Sequence, residues 1–201
     1  MQTALFSTWT DNRIKLVGDG LAAAGGKKLD YHFDGFENDT DKFPHDEEGK
    51  YIRDIDELVT NEATIYIKEN GPDLSWIYLQ YIDEVGYRSG DGPAMIEAVK
   101  LMDDQIGRIW IAVKNRERDY REDWLILVTT DHGRDKATGR GHGGQSDRER
   151  TIWIATNSRS LNPHFTQTPA IVDILPSLVT HLQLNIPKNI RDQLDGRSFI
   201  D

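Results

Sequence analysis

The sequence predicts an α/β fold: a three-layer sandwich with a mainly parallel sheet. Three observations carry this. Short apolar runs rich in β-formers recur along the chain: TALFSTW (3–9), LSWIYLQYID (74–83), WLILVTT (124–130) and RTIWIATN (150–157). Stretches of helical periodicity separate several of them. The second and third runs are almost continuously apolar, as strands buried on both faces of a parallel sheet are. Strands alternating with helices imply βαβ units, with helices covering the sheet.

TALFSTW reads as a strand starting almost at residue 1. Residues 18–50 are rich in Gly, Asp and Lys and read as a long connection, a candidate lobe over a cleft. In 52–70, Ile55, Leu58, Val59 and Glu62 fall at helical spacing, and Asn70-Gly71-Pro72 closes that helix. The 74–83 strand follows, then a loop, EVGYRSGDGP. Met95, Val99, Met102, Ile106, Ile109 and Val113 are spaced 4, 3, 4, 3 and 4, one face of a long amphipathic helix with Pro93 near its first turn. TPAIVDILPSLVTHLQL (168–184) reads as a last helix, with Thr168 as N-cap and Pro169 at its first position. The tail to Asp201 reads as polar and irregular. Repeats, low-complexity segments and an interdomain linker are not evident, so 1–201 reads as a single domain.

Composition narrows the chemistry. The chain has 201 residues, 37% hydrophobic and 29% charged, with a formal net charge of −10. An acidic surface repels a phosphate backbone, which argues against binding a nucleic-acid duplex. An acidic protein can still hold an anionic substrate through metal cations. With no cysteine, any metal must be held by His, Asp and Glu. No apolar run approaches the roughly 20 residues of a spanning helix. The N-terminus lacks a basic segment followed by a long apolar stretch, so it does not read as a signal peptide. The compartment stays open.

Ligands of parallel α/β sheets collect beyond the carboxyl ends of the strands. The 74–83 strand ends in Asp83, and the 124–130 strand runs into Asp131 and His132. These groups are expected on one edge of one sheet, with His142 in the loop after the later strand. Gly133 permits a sharp turn after His132, and Gly141, Gly143 and Gly144 let the backbone fold closely around His142. Mixed Asp/His ligation suits Zn²⁺ or Mn²⁺. The bland alternative is a solvated loop with a capping Asp and surface His. The apolar strand before the loop, GHGG within it and Asp83 on another strand weigh against it. His32, His45, His164 and His181 have no such partner pattern and read as structural or surface groups. The five tryptophans fall on predicted strands or the long helix and read as core.

At these residues the chain resembles a known family. VTTDHG, GHGG and ERTIWIA, preceded by YIDEVG and a long helix, resemble the alkaline phosphatase superfamily, in particular its type I phosphodiesterase/nucleotide pyrophosphatase-like branch. PAIVDILPSLVTHLQLNIP resembles the superfamily's C-terminal helix. The resemblance implies two metal ions, usually zinc, and a Thr or Ser nucleophile attacking phosphorus. It implies that Asp131 and His132 ligate one metal, and Asp83 and His142 the other. The activity implied is metal-dependent hydrolysis of phosphate mono- or diesters, with the leaving group docking against 18–50. A non-catalytic remnant that binds a metal, phosphate ligand or protein partner is the alternative. Sulfatase and phosphomutase relatives share the same ligands.

Two departures qualify this. The family pattern on the earlier strand is Asp, two residues, Gly, His; here DEVGY puts Tyr87 at the histidine position. A neutral phenol is a poor ligand, so the Asp83/His142 position is expected to bind weakly. The family's nucleophile and a further Asp ligand precede the region that TALFSTWTDNRIKLVG resembles. That segment is expected to lie outside these residues, with Ser7, Thr8 and Thr10 serving strand and turn roles instead. An N-terminally incomplete sheet is expected to leave an exposed edge, and so to favour self-association or pairing with the missing part.

Overall fold

The computed structural model describes residues 1–201, which form two compact units. Met1–Glu122 with Thr138–Gly141 makes the first, and Asp123–Ala137 with His142–Asp201 the second.

The first unit is built on a parallel sheet. β1 (Thr3–Ser7) is central, with β2 (Tyr31–Phe33) on one side and β3 (Leu74–Tyr78) on the other. Both pairings are parallel: Leu5 faces His32 in β2 and Trp76 in β3. The apolar sequence of β1 explains its place, since Ala4, Leu5 and Phe6 are all buried. α1 (Lys50–Asn70) lies against it and buries Ile52, Ile55, Val59, Ala63 and Ile67, a single helical stripe. Ile55, Val59 and Ala63 pack with Ala4 and Phe6. The Phe6 ring sits 5.7 Å from both Tyr31 and Tyr66, whose own rings stack at 4.0 Å. α1 ends where Gly71 turns left-handed (φ 57°) and returns its N–H to the Ile67 carbonyl. A side chain there would meet the Arg116 guanidinium, so the turn needs glycine for space as well as for φ.

The predicted α/β class and parallel sheet are present, and several elements differ in detail. β2 falls inside the 18–50 connection, where three residues among polar neighbours gave no periodic signal. β3 is shorter than expected and half-buried, with Trp76 40% exposed. Its second half is instead a helix, α2 (Tyr81–Ser89), running through the expected loop. An edge strand is covered less well than a central one, which is why its apolar run overstated its burial.

α3 (Pro93–Tyr120) carries Pro93 at its first turn, as expected. Its predicted stripe is met in part: Val113 is buried, Met95, Met102, Ile106 and Ile109 are half-buried and Val99 is 47% exposed, while the buried face also takes Ala98, Gln105, Ala112 and Arg116. Packing against α1 explains the shift. Arg108 grips both carboxylate oxygens of Glu57 (2.6 and 2.5 Å), and alanines let the backbones approach. Arg116 pairs with Glu122, donates to the Lys68 carbonyl (3.3 Å) and lies 3.7 Å from the Tyr120 ring.

The second unit has its own sheet. β4 (Leu127–Thr129) and β5 (Ile154–Thr156) pair antiparallel, so β4 does not extend the parallel sheet. This corrects the expectation that Asp83, Asp131 and His132 line one edge of one sheet. α4 (Asp147–Arg150) precedes β5 and begins in a capping box between Ser146 and Glu149. The last helix starts later than predicted. Thr168 takes φ 60°, a short turn spans Ile171–Asp173, and α5 covers Ile174–His181. α6 is Lys188–Arg191. The tail is not wholly polar and loose: Phe199 is fully buried, its N–H donating to Ser177 Oγ (3.0 Å). Trp9 and Trp153 are exposed as well as Trp76, contrary to the core reading of the tryptophans. No helix is long and apolar enough to cross a membrane.

Candidate metal centre

In the first unit, Asp83 sits in the first turn of α2 and Tyr87 four residues on, so the two share one helix face. Tyr87 is 47% exposed, and its phenol stands where the family pattern has a histidine. A groove of about 630 Å³ is lined by Arg53, Tyr81, Val85, Arg88, Ala98 and Leu101. At 100° per residue, Tyr81, Val85 and Arg88 lie on the opposite side of α2 from Asp83 and Tyr87. This groove is therefore not where the expected ligand points.

The start of α2 is held by a carboxylate that sequence reasoning did not single out. Asp56, fully buried in α1, accepts from Thr8 Oγ1 (2.5 Å) and Gln80 N–H (3.0 Å) through Oδ1, and from Tyr81 N–H (2.8 Å) through Oδ2. Burial pushes its carboxyl up to about 6, against the pull of these three donors. A signal was present: Asp56 and Thr60 interrupt an otherwise apolar stripe, and a polar residue there must find a buried partner. Thr60 Oγ1 donates to the Asp56 carbonyl (2.7 Å). Ser7 and Thr8 are buried in this fabric. Ser7 Oγ donates to the Trp9 carbonyl (2.8 Å), and Thr8 is committed to Asp56. Both serve the strand and turn roles expected of them.

In the second unit, Asp131 and His132 follow β4 at its end, as the sequence indicated. Thr130 Oγ1 donates to the His132 carbonyl (3.0 Å), and Gly133 N–H to the Glu149 carbonyl (2.7 Å). A Cβ at Gly133 would fall 2.0 Å from the Arg148 carbonyl oxygen, so this turn admits no side chain. Glu149 also accepts from Gly144 N–H (2.8 Å), so α4 braces the loop on both sides of His142. The loop is thus stapled to a capped helical turn, not left as a solvated strap.

The structure brings the two loop histidines together. The His132 and His142 rings stack at 3.7 Å between centroids, 18° from parallel. Their ring nitrogens approach within 4.8 Å, close enough to line one metal centre. His132 Nδ1 lies 2.9 Å from the Gly133 carbonyl. A carbonyl can only accept, so Nδ1 carries the hydrogen and Nε2 takes the ligand role. Asp131 Oδ1 lies 3.6 Å from that Nε2, and its carboxylate is exposed. This donor set fits a divalent ion of the Zn²⁺ or Mn²⁺ type.

The other histidines have structural partners. His45 stacks on Tyr51 (4.2 Å), His32 lies 3.6 Å from Asp34, and His181 lies 3.2 Å from the Asp123 carbonyl. His164 Nε2 lies 2.9 Å from Asp173, and its Nδ1 accepts from Arg197 Nε (3.1 Å). Burial raises Asp173, but the N–H groups of Arg197 and Ala170, with His164, outweigh it and hold the carboxyl below its usual range.

The Asp-bearing helix after β3 and the Asp-His-Gly turn after β4 are the stretches whose sequence resembles the alkaline phosphatase superfamily of phosphoryl-transfer enzymes. Within it, the family model described as type I phosphodiesterase / nucleotide pyrophosphatase matches residues 11–150, and the chain belongs to that family. It is 26% identical over 138 residues to the 2,3-bisphosphoglycerate-independent phosphoglycerate mutases of Mesomycoplasma hyopneumoniae strains 7448, J and 232. That alignment covers 66% of this chain and 25% of each mutase, so the chain spans about a quarter of their length. Its fold resembles Leishmania mexicana phosphoglycerate mutase, solved at low cobalt concentration. The TM-score is 0.58 at 14% identity, covering 100% of this chain and 37% of the other.

Proposed function

We propose that this chain supplies part of the site of a metal-dependent phosphate-ester hydrolase, within one partial alkaline phosphatase-like domain. The His132–His142 pair, held by a glycine turn and α4, carries the reading. Asp131 and His132 are assigned to one metal position, and Asp83 and His142 to the other. Zn²⁺ is the expected ion and Mn²⁺ the alternative. When bound, such an ion supplies Lewis-acid stabilisation of charge on a phosphoryl group.

The chain's own residues orient and hold. The Gly133 carbonyl fixes the His132 tautomer. The Glu149 brace keeps the loop from reopening, and Asp131 brings a carboxylate beside His132 Nε2. Tyr87, in the ligand position next to Asp83 on its helix face, weakens the second position. Titration of the purified chain with Zn²⁺, followed by competition with a chromophoric chelator, tests these assignments. About one tightly held ion per chain is expected, with affinity falling at least ~10-fold in His132→Ala. Unchanged affinity in that variant sinks the reading, and two tight ions overturn the role given to Tyr87.

A phosphomutase reading is supported by the mutase relatives. Hydrolysis of a chromogenic phosphodiester favours the first reading. Interconversion of phosphoglycerates without phosphate release favours the second. Zn²⁺ binding with neither activity is the outcome expected of a non-catalytic remnant.

A further inference from the structure

We infer that Asp56 is a positioning residue for the Asp83 carboxylate, acting through the backbone at the start of α2. The inference rests on the reading of Asp83 as a metal ligand.

Asp56 lies within the apolar stripe of α1, with no Lys or Arg among its hydrogen-bond partners. Every bond its carboxylate makes ties two elements together. Oδ1 takes the Thr8 hydroxyl at the carboxyl end of β1 and the N–H of Gln80; Oδ2 takes the N–H of Tyr81. Thr8 N–H in turn donates to the Tyr78 carbonyl at the end of β3 (3.2 Å). One buried group thus joins the ends of β1 and β3 to α1.

Gln80 and Tyr81 begin α2, where N–H groups have no partner within the helix. The Gln80 side chain makes no capping bond, so Asp56 caps this helix from a different one. The peptide held by Asp56 then fixes the next residues directly. Asp83 N–H donates to the Gln80 carbonyl (2.9 Å), as does Glu84 N–H (3.3 Å). Asp83 is therefore one hydrogen bond removed from the clamp. A ligand carboxylate must be held to within a fraction of an ångström, which is the service that groups behind the ligands provide. A surface cap would tether α2 to water-exposed structure; a buried one tethers it to the core.

The test uses the full chain. Asp56→Asn keeps one acceptor but turns an amide donor toward an N–H of the α2 start. It is expected to weaken Zn²⁺ affinity at the second position, that of Asp83 and His142, by ~10-fold or more. Amides 80–84 should exchange at least ~10-fold faster while those of 55–63 stay protected. Thr8→Val removes a bond to the same carboxylate but leaves both N–H contacts. It is expected to lower the melting temperature and leave Zn²⁺ affinity at the second position within about twofold; equal loss of affinity there in both variants would indicate general loosening and overturn the inference. Asp83→Ala separates the two readings. If it leaves Zn²⁺ affinity at the second, weaker position unchanged, Asp83 is not a ligand and the inference falls with it. If it weakens binding and Asp56→Asn does not, the positioning role alone is wrong. Should Asp56→Asn not fold, metal-free wild type decides: amides 80–84 must be protected without metal, and their free exchange would refute a preformed clamp.

Discussion

The two units are stabilised in opposite ways. The first centres on apolar groups, with Leu5, Phe6, Ile55 and Val59 each at most 1% exposed. Among its buried polar groups, Thr8 and Asp56 stitch strands to helices. The second has short strands and a centre in which the buried polar groups Asp173 and Ser177 sit beside Phe199 and Ile200. Its histidine loop is held by glycines and backbone bonds. The comparison teaches that the expected ligands rest on two supports. Asp83 depends on a helix clamped to a hydrophobic core, and His132 and His142 on a loop whose shape is fixed by what cannot fit beside it.

Four perturbations sharpen or break this contrast, from largest to smallest. Phe6→Ala removes a ring from the first core and is expected to cost about 3–5 kcal/mol, by denaturant unfolding. Amide exchange should rise across α1 first, and a loss confined to residues 142–201 would contradict the contrast. Gly133→Ala forces a Cβ against the Arg148 carbonyl. A cost of about 2–3 kcal/mol is expected, with the His132–His142 stacking lost from the imidazole NMR signals. A neutral result there would show that the loop is not sterically fixed.

The third concerns pH and separates the two buried carboxylates. Asp56 is raised to about 6, so the folded state binds its proton more tightly than the unfolded chain. Its ionisation removes stability as pH rises from about 4 to 6. Asp173 is lowered, so its contribution is present above the ordinary carboxylate range and is lost as pH falls through the depressed value. Carboxyl ¹³C titration should find Asp56 with a midpoint near 6 and Asp173 below 3.8; the reverse order would undo the assignment of desolvation to one and hydrogen bonding to the other. The smallest change is Ser146→Ala, which removes the cap of α4. About 1 kcal/mol is expected, detected as faster exchange at Glu149 and Gly144 with amides of the first unit unmoved.

The sequence foretold much of the candidate site. Asp131, His132 and His142 were legible because a strand end, Asp-His-Gly and GHGG are local patterns, and glycine's freedom is a property of the residue. Asp83 and Tyr87 were legible as residues but not as neighbours on a helix. LSWIYLQYID gives one apolar run, and only packing divides it between β3 and α2. Asp56 was not read at all, because its role depends on backbone groups 24 and 25 positions away.

By itself the sequence determined the α/β class, the long helices and which residue types can serve as ligands, since periodicity, capping glycines and the absence of cysteine are carried by residues and their spacing. Tertiary structure alone decided that β4 pairs with β5 and not with the parallel sheet, and that α3 turns Ala98 and Gln105 inward instead of Val99. It alone placed the ring of His142 on that of His132. Strand partners, helix faces and ring contacts are settled by which surfaces exclude water from one another, and that choice is made between segments far apart in the chain.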